Sequence, residues 1–247
     1  MQNRLIPLLG ASLIAAGAVQ AQEPPPGTVQ LGAFYGLSND PYVGDGRQAF
    51  PFPTIQYFGD GFNVGTRGAS IDIVRENNLE IAGILRPRIT GLEFHDVDEL
   101  DGIERNLTLD LGVTGTYSYG LTFLRATALQ EVTREHDGQE ATFEIGQRVP
   151  AGAVFLEFSG GGIFRSADLN DHLYGVREKE ARAGRPAYSP DGDLTPFVAA
   201  SARLPLTETA NAFVRARYEI LSDAATDSPI IEEEERISIG FGVGFGF

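Results

Sequence analysis

The last eleven residues of the chain, Ile237 to Phe247, alternate strictly between large apolar and small side chains. The apolar positions are Ile237, Ile239, Phe241, Val243, Phe245 and Phe247, and Ser238 and four glycines stand between them. A period of two is the period of a β-strand, so the apolar side chains share one face. Eleven residues at roughly 3.3 Å each span about 36 Å, or about 25 Å when tilted near 45°. This length matches the apolar band of a bilayer and predicts a lipid-facing wall strand of a transmembrane β-barrel.

The same alternation recurs along most of the chain. It is clearest over residues 107–119, and weaker versions predict strands at 29–35, 79–89, 121–132, 141–149, 154–164, 194–204 and 212–221. In the last of these strands, Arg215, Arg217 and Glu219 lie opposite the apolar face, and Asp110 does so in 107–119. Charged side chains on one face and apolar ones on the other suit a wet lumen inside a lipid exterior. We therefore expect these four charged residues to face the lumen.

The connections between the predicted strands are of two kinds. Short turns occur at 59–61, 119–120, 149–152 and 206–209, whereas 37–49, 90–105, 166–192 and 222–233 are long and polar. Short turns on one rim and long loops on the other, outside the cell, are typical of outer-membrane barrels.

The predicted strands number eleven, two of them within 50–74, but bacterial single-chain barrels have an even number. Either 90–105 holds another strand or one segment of 50–74 is not a wall strand. The sequence thus predicts an all-β, transmembrane antiparallel β-barrel of 10–12 strands.

Composition narrows the possible partners. The 247 residues suffice for one large β domain, and the absence of cysteine excludes disulfides and thiolate metal sites. A net charge of −15 argues against binding to nucleic acid, whose phosphates attract basic surfaces.

The N-terminus indicates export. One positive charge at Arg4 precedes an apolar run that ends in small residues near Ala21. This is the pattern of a secretory signal peptide at 1–21, cleaved after Ala21. The run is short for a spanning helix and is interrupted by Pro7 and Gly10. We expect a short Pro-rich spacer at 22–28 and the barrel at 29–247.

Three segments resemble motifs of a known family. Residues 51–57, P-F-P-T-I-Q-Y, resemble an early P-x-P-x-x-x-Y signature. Y-G-V-R-E-K-E-A at 174–181, followed by G-R-P-A-Y at 184–188, resembles a [YF]-G-V-x-x-x-x-A-x-x-G-x-P-x-Y motif. D-A-A-T-D-S-P-I at 223–230 resembles G-D-A-A-x-S-P-I-V, with Ser222 and Ile231 replacing the end residues and one residue inserted. Together they resemble the MipA/OmpV family of Gram-negative outer-membrane proteins over essentially the whole mature chain.

The resemblance implies a barrel in the outer membrane, in contact with its lipid and inserted by the barrel-assembly machinery. Some family members are described as scaffolds for murein-remodelling enzymes, and others are linked to adhesion or solute entry. The leading interpretation is a structural or interaction protein, with a periplasmic murein hydrolase or synthase complex as partner. A small solute pore or a surface adhesin is the alternative.

Candidate chemistry is sparse. The family has no established catalytic set, and the sequence has no G-x-S-x-G nucleophile elbow. His95, His136 and His172 lie in predicted loops, the last near Ser166 and Asp171, and loop histidines are usually solvated polar residues. Asp168, Asp171, Asp191 and Asp193 share one loop, but their spacing matches no calcium-binding loop. We therefore expect neither catalysis, nor a bound metal, nor a cofactor.

The terminal strand carries one further expectation. The resemblance implies that a C-terminal aromatic with apolar residues at alternate positions before it is the signal for barrel assembly. In this chain, Phe241, Phe245 and Phe247 occupy those positions.

Overall fold

The computed structural model describes residues 24–44, 47–89 and 98–247, without the side chains of residues 47, 48 and 50. They form a closed antiparallel barrel in which consecutive strands are neighbours and β12 returns to pair with β1. The strands are β1 Thr28–Asn39, β2 Arg47–Gly59, β3 Phe62–Gly65, β4 Gly68–Glu76, β5 Leu79–Arg88, β6 Thr108–Tyr119, β7 Thr122–Glu131, β8 Gln139–Ala151, β9 Val154–Arg165, β10 Asp193–Pro205, β11 Ala210–Ile220 and β12 Glu235–Gly246.

The predicted alternation is confirmed by the exposure of the strand residues. Large apolar side chains on the outer face remain open to the surroundings: Ile71, Phe143 and Val198 are 58–60% exposed. Apolar patches of this extent are not stable in water, and the hydrocarbon of a bilayer covers them. Closure of the sheet leaves no unpaired edge between the first and last strands, and the register runs from Gln30 opposite Gly246 to Ser38 opposite Ser238.

The number of strands among the described residues is twelve because 50–74 belongs to three strands rather than two. The expectation that one segment of 50–74 is not a wall strand is wrong. The extra strand, β3, has four residues and pairs with the lower part of β2 and the start of β4. The other region in which an additional strand was considered is 90–105. Its described residues, 98–105, contain a 3-10 helix, Asp98–Leu100, and no strand.

The short β3–β4 hairpin explains the prolines of the P-F-P segment. The Ile55 N–H donates to Thr66 Oγ1 in the hairpin turn, and the Ile55 carbonyl accepts from the Thr66 N–H. In a strand, the backbone N–H and C=O groups of alternate residues point to the same side. Pro51 and Pro53 therefore direct their N–H-free nitrogens to the side above the hairpin, where no described strand pairs with β2. Proline cannot donate to a ladder and is tolerated at an unpaired edge of this kind.

The two rims differ as the sequence predicts. Connections 60–61, 77–78, 120–121, 152–153 and 206–209 are short and define the turn rim. Connections 40–46, 89–107, 132–138, 166–192 and 221–234 are longer and define the loop rim, which also carries helices α1 Ala167–Tyr174 and α2 Asp223–Thr226. The 166–192 connection also contains a 3-10 turn, Glu178–Glu180, which follows α1.

The predicted signal peptide at 1–21 lies outside the described residues, so it stays a prediction. In the three described ranges, no helix has both the length and the apolarity needed to cross a membrane.

Candidate functional site

Three of the four charged residues singled out in the sequence, Asp110, Arg217 and Glu219, contact side chains of other strands. Asp110 is 2% exposed and pairs with Arg88 at 2.7 Å. Arg217 and Glu219 pair at 3.4 Å, and the Arg217 guanidinium lies 4.0 Å from the centroid of the Phe197 ring. Arg215 forms no ion pair within the described part of the chain.

Near the loop rim, charged pairs bridge strands that are not neighbours. Arg88 on β5 reaches Glu140 on β8 at 3.0 Å, and Arg165 on β9 lies 3.9 Å from Glu219 on β11. Arg165 also donates to Thr195 at 2.8 Å. Because neighbouring strands are about 4.8 Å apart, contacts across two or three strands require the side chains to lean into the lumen. This end of the lumen is therefore filled by charged side chains that pair with each other.

A second group fills the lumen on the β7–β9 side. Arg125 pairs with Glu144 at 3.2 Å, and Arg148 pairs with Glu157 at 3.3 Å. The Phe123 ring lies between the two guanidinium groups, at 4.7 and 4.8 Å from them, and is 1% exposed. Cation–π contacts and ion pairs thus hold a large aromatic side chain inside the barrel.

The bare face of β12 also points into the lumen, where neighbouring rings cover it. A Cβ at Gly240 would lie 2.5 Å from the Phe34 ring, and one at Gly242 would lie 2.8 Å from the Phe213 ring. The two rings stack at 6.1 Å between centroids. The glycines of the terminal strand therefore make room for aromatic side chains from β1 and β11.

The connections of the loop rim fold into a compact cap. Its buried apolar core combines residues from four connections: Tyr42, Leu100, Ile103, Tyr174, Val176, Leu221, Ala225, Ile230 and Ile231. The fifth, 132–138, joins through Gly138, which packs against Leu169 of α1. Because these connections leave the wall at points all round the barrel and meet in one cluster, the cap lies across the mouth.

Arg105 is the polar centre of the cap. Its side chain is fully buried and forms a two-pronged pair with Glu180, at 2.9 and 3.1 Å. Its remaining N–H groups donate to the carbonyls of His172, Gly175 and Glu104 at 2.8–2.9 Å. Burial alone would raise the pKa of Glu180, but hydrogen bonds from Arg105 and the Arg177 backbone outweigh it and lower that pKa. A guanidinium has five N–H donors, and all five are used here.

Two histidines meet beneath the cap. The His136 and His172 rings lie 4.3 Å apart, and His172 is 1% exposed, so the expectation that these loop histidines are solvated is wrong for His172. Neither ring nitrogen of His172 has a hydrogen-bond partner among the described residues. Burial first, and then the neighbouring His136, Arg105 and Arg177, lower the pKa of His172 to about 3. The His172 ring is therefore neutral at physiological pH.

Two polar residues near His172 in the sequence make structural contacts. Ser166 caps α1 by accepting from the Leu169 N–H, and Asp171 accepts from Ser189. Asp193 is the first residue of β10 and lies 3.9 Å from Arg165. Among the residues that the structure describes, no three His, Asp or Glu side chains are arranged to hold a metal. His95 lies outside the described residues.

The sequence-based prediction of long polar loops did not include a packed cap. A signal was present, because the 166–192 and 221–234 connections contain Tyr174, Val176, Ile230 and Ile231, which a solvated loop does not need. The second and third motifs of the family resemblance supply most of this core. The residues of these two motifs therefore have a structural role, which is to form the buried core of the cap.

Comparisons with known proteins show which proteins this chain is similar to in sequence and in structure. A family model described as MltA-interacting protein MipA matches residues 31–247. The MltA-interacting protein of Escherichia coli (strain K12) is 26% identical over 239 residues, 94% of each chain. Outer membrane protein OmpV of Vibrio cholerae serotype O1 (strain ATCC 39315 / El Tor Inaba N16961) is 24% identical over 196 residues, covering 77% of this chain and 76% of OmpV. The solved COG4313 outer membrane channel from Pseudomonas putida F1 is 12% identical, with a TM-score of 0.48, and covers 95% of this chain and 100% of that one.

Proposed function

This chain belongs to the MltA-interacting protein family of outer-membrane barrels, and we propose that it is an interaction protein rather than an open channel. The observation that carries the proposal is the packed cap, whose buried Arg105–Glu180 pair ties the 89–107 connection to the 166–192 connection. Beneath it, the paired charges of Arg88 and Arg165 occupy the adjoining lumen. A barrel closed in this way is suited to bind a protein partner at a rim rather than to conduct solutes through its interior.

The partner that we propose is a murein-remodelling enzyme, bound at the turn rim. A relative of this chain is named MltA-interacting protein, and short turns face the periplasm in outer-membrane barrels. The turn rim presents exposed apolar side chains at the ends of the strands: Tyr119, the last residue of β6, is 75% exposed, and Leu206, just after β10, is 51% exposed. Exposed aromatic and aliphatic side chains of this kind supply the central contacts of protein interfaces.

Binding to a purified murein hydrolase of the MltA type tests this proposal. The barrel should retain the enzyme in a pull-down from detergent, and replacing Tyr119 and Leu206 together by Ser should abolish that retention. Arg105→Met, which disturbs only the cap, is the matched control and should bind like the unaltered protein. Loss of binding in the cap variant, with binding kept in the rim variant, would contradict the proposed docking surface.

A small solute pore is the second candidate, and Arg215, which has no ion pair among the described residues, favours it. Recordings in planar bilayers separate the two functions. The interaction barrel should give at most small, infrequent conductance steps. Steady large steps, with an ion selectivity that changes when Arg215 or Arg217 is replaced by Glu, would instead identify a pore.

A further inference from the structure

A polar recess of about 260 Å³ lies on the inner face of the wall, at the β3–β4 hairpin. Two arginines, Arg67 in the hairpin turn and Arg86 on β5, border it. The polar residues between them are Gln56, Asn63 and Ser70. None of the residues that line the recess belongs to the buried core of the cap or to the Arg125–Phe123–Arg148 group.

The hydrogen bonds at the base of the recess run in one direction. Gln56 Nε2 donates to Asn63 Oδ1 at 2.7 Å, and Asn63 Nδ2 donates in turn to Ser70 Oγ. Because Ser70 Oγ accepts this bond, its own proton is available to donate into the recess. The other end of the row is an acceptor: Gln56 Oε1 is buried and has no partner within the described part of the chain. Gln56 as a whole is 4% exposed.

Positive charge predominates around the recess, where Glu140 acts on Arg86 and Glu157 acts on Arg215 from beyond ion-pair distance. Neither Arg67 nor Arg86 forms an ion pair among the described residues, in contrast with Arg88, Arg125 and Arg148. Arg203 and Arg215, likewise without an ion pair in the described ranges, lie close enough for their charges to act on Arg67. In a chain with a net charge of −15, such a group of arginines attracts an anion that compensates it.

We propose that this recess binds a small carboxylate anion that also carries a hydroxyl group. Arg67 and Arg86 hold the carboxylate, and Ser70 donates a further hydrogen bond to it. The ligand hydroxyl donates to Gln56 Oε1, the buried acceptor that the protein leaves unpaired. Arg203 and Arg215 add positive potential without direct contact. This site does not depend on whether the barrel binds a murein enzyme.

Two probes that differ by one hydroxyl test the site. Citrate has three carboxylates and a hydroxyl, and propane-1,2,3-tricarboxylate has the same carboxylates without it. Titration calorimetry of the purified, detergent-solubilised barrel at low salt should detect citrate binding that weakens as NaCl is added. The analogue should bind roughly tenfold more weakly, because it leaves Gln56 Oε1 unpaired. Equal affinity of the two probes would overturn the role assigned to Gln56.

Substitutions then separate the site from general attraction to a basic lumen. Arg67→Gln should weaken citrate binding by roughly tenfold or more, since it removes a direct charged contact. Arg75→Gln is the matched control, because Arg75 lies on the same strand pair but bonds to Asp72 at 2.9 Å, away from the recess. Heat-modifiable migration on gels verifies that each variant is folded. Equal binding by both variants, or no citrate binding by the unaltered barrel, would overturn the proposal.

Discussion

Replacing Arg105 by Met should open the cap and leave the barrel intact. The substitution removes a guanidinium that is fully buried and makes five hydrogen bonds, and it leaves the Glu180 carboxylate in a site that is 6% exposed. Removing one partner of a buried ion pair costs roughly 3–5 kcal/mol. Every 1.4 kcal/mol changes an equilibrium tenfold, so the open population of the cap should rise by a factor between roughly 10² and roughly 4 × 10³. The strands keep their own backbone ladders and should not respond.

Two amides inside the cap report on this equilibrium. Val176 N–H donates to the Tyr188 carbonyl at 2.8 Å, and Tyr188 N–H donates back at 2.9 Å. Hydrogen exchange at these amides should accelerate in Arg105→Met by the same factor as the rise in the open population of the cap. Amides of β6 should exchange at the unaltered rate. Arg177→Gln is the matched control, because its side chain is 35% exposed and lies 3.9 Å from Glu180, a contact worth about 0–1 kcal/mol.

A double substitution checks that the effect comes from an unpaired charge. Arg105→Met combined with Glu180→Met replaces the pair by apolar side chains, which removes the stranded carboxylate and should recover much of the lost protection. Unchanged exchange at Val176 and Tyr188 in the single variant would refute the assignment of Arg105 as the centre of the cap. Loss of the β6 ladder at the same time would show instead that the cap and the wall unfold together.

Four further predictions use other parts of the chain. The folded-state pKa of His172 is about 3, against about 6.5 in an unfolded chain, so the cap keeps its full stability above pH 6.5 and loses it as pH falls towards 3. Protease cleavage of the loops should rise over that range, and less so in His172→Phe; a flat profile would contradict this. An epitope inserted beside Asp191 should bind antibody on intact cells, whereas staining only after permeabilisation would invert the proposed orientation. N-terminal sequencing of membrane-extracted protein should begin at Gln22, and an uncleaved Met1 form would refute the signal peptide. Deleting Phe247 should leave precursor in the periplasm and reduce heat-modifiable barrel, whereas normal assembly would reduce Phe247 to a wall residue.

The wall is predictable from sequence because lipid and lumen impose the same two-residue period on each strand. Residues 107–119 show this, since the structure has β6 at Thr108–Tyr119. The exception is β3, Phe62–Gly65, whose four residues are too few to display a period and are bounded by Gly61 and Gly65. A strand of that length is defined by its neighbours' hydrogen bonds, which the local sequence does not encode.

The cap and the lumen are less predictable because their contacts join residues far apart in the chain. Arg105 and Glu180 are 75 positions apart, and Arg88 and Glu140 are 52 apart. The sequence indicates that Arg217 and Glu219 face inward, since this follows from strand period alone. It does not indicate which opposite charge each arginine meets, because this depends on how neighbouring strands are staggered around the barrel.

The glycines of the terminal strand connect these two levels of structure. Their alternation with Phe241, Val243 and Phe245 is a local property, and it predicts a wall strand with an apolar outer face. The reason for an almost bare inner face is not local: the Phe34 and Phe213 rings from the two adjoining strands lie over Gly240 and Gly242. A side chain at either glycine would push against a ring inside a lumen that paired charges and aromatic residues already occupy. β12 therefore closes the barrel and also supports the aromatic side chains packed in the lumen. These two roles explain why apolar residues and glycines alternate along this strand.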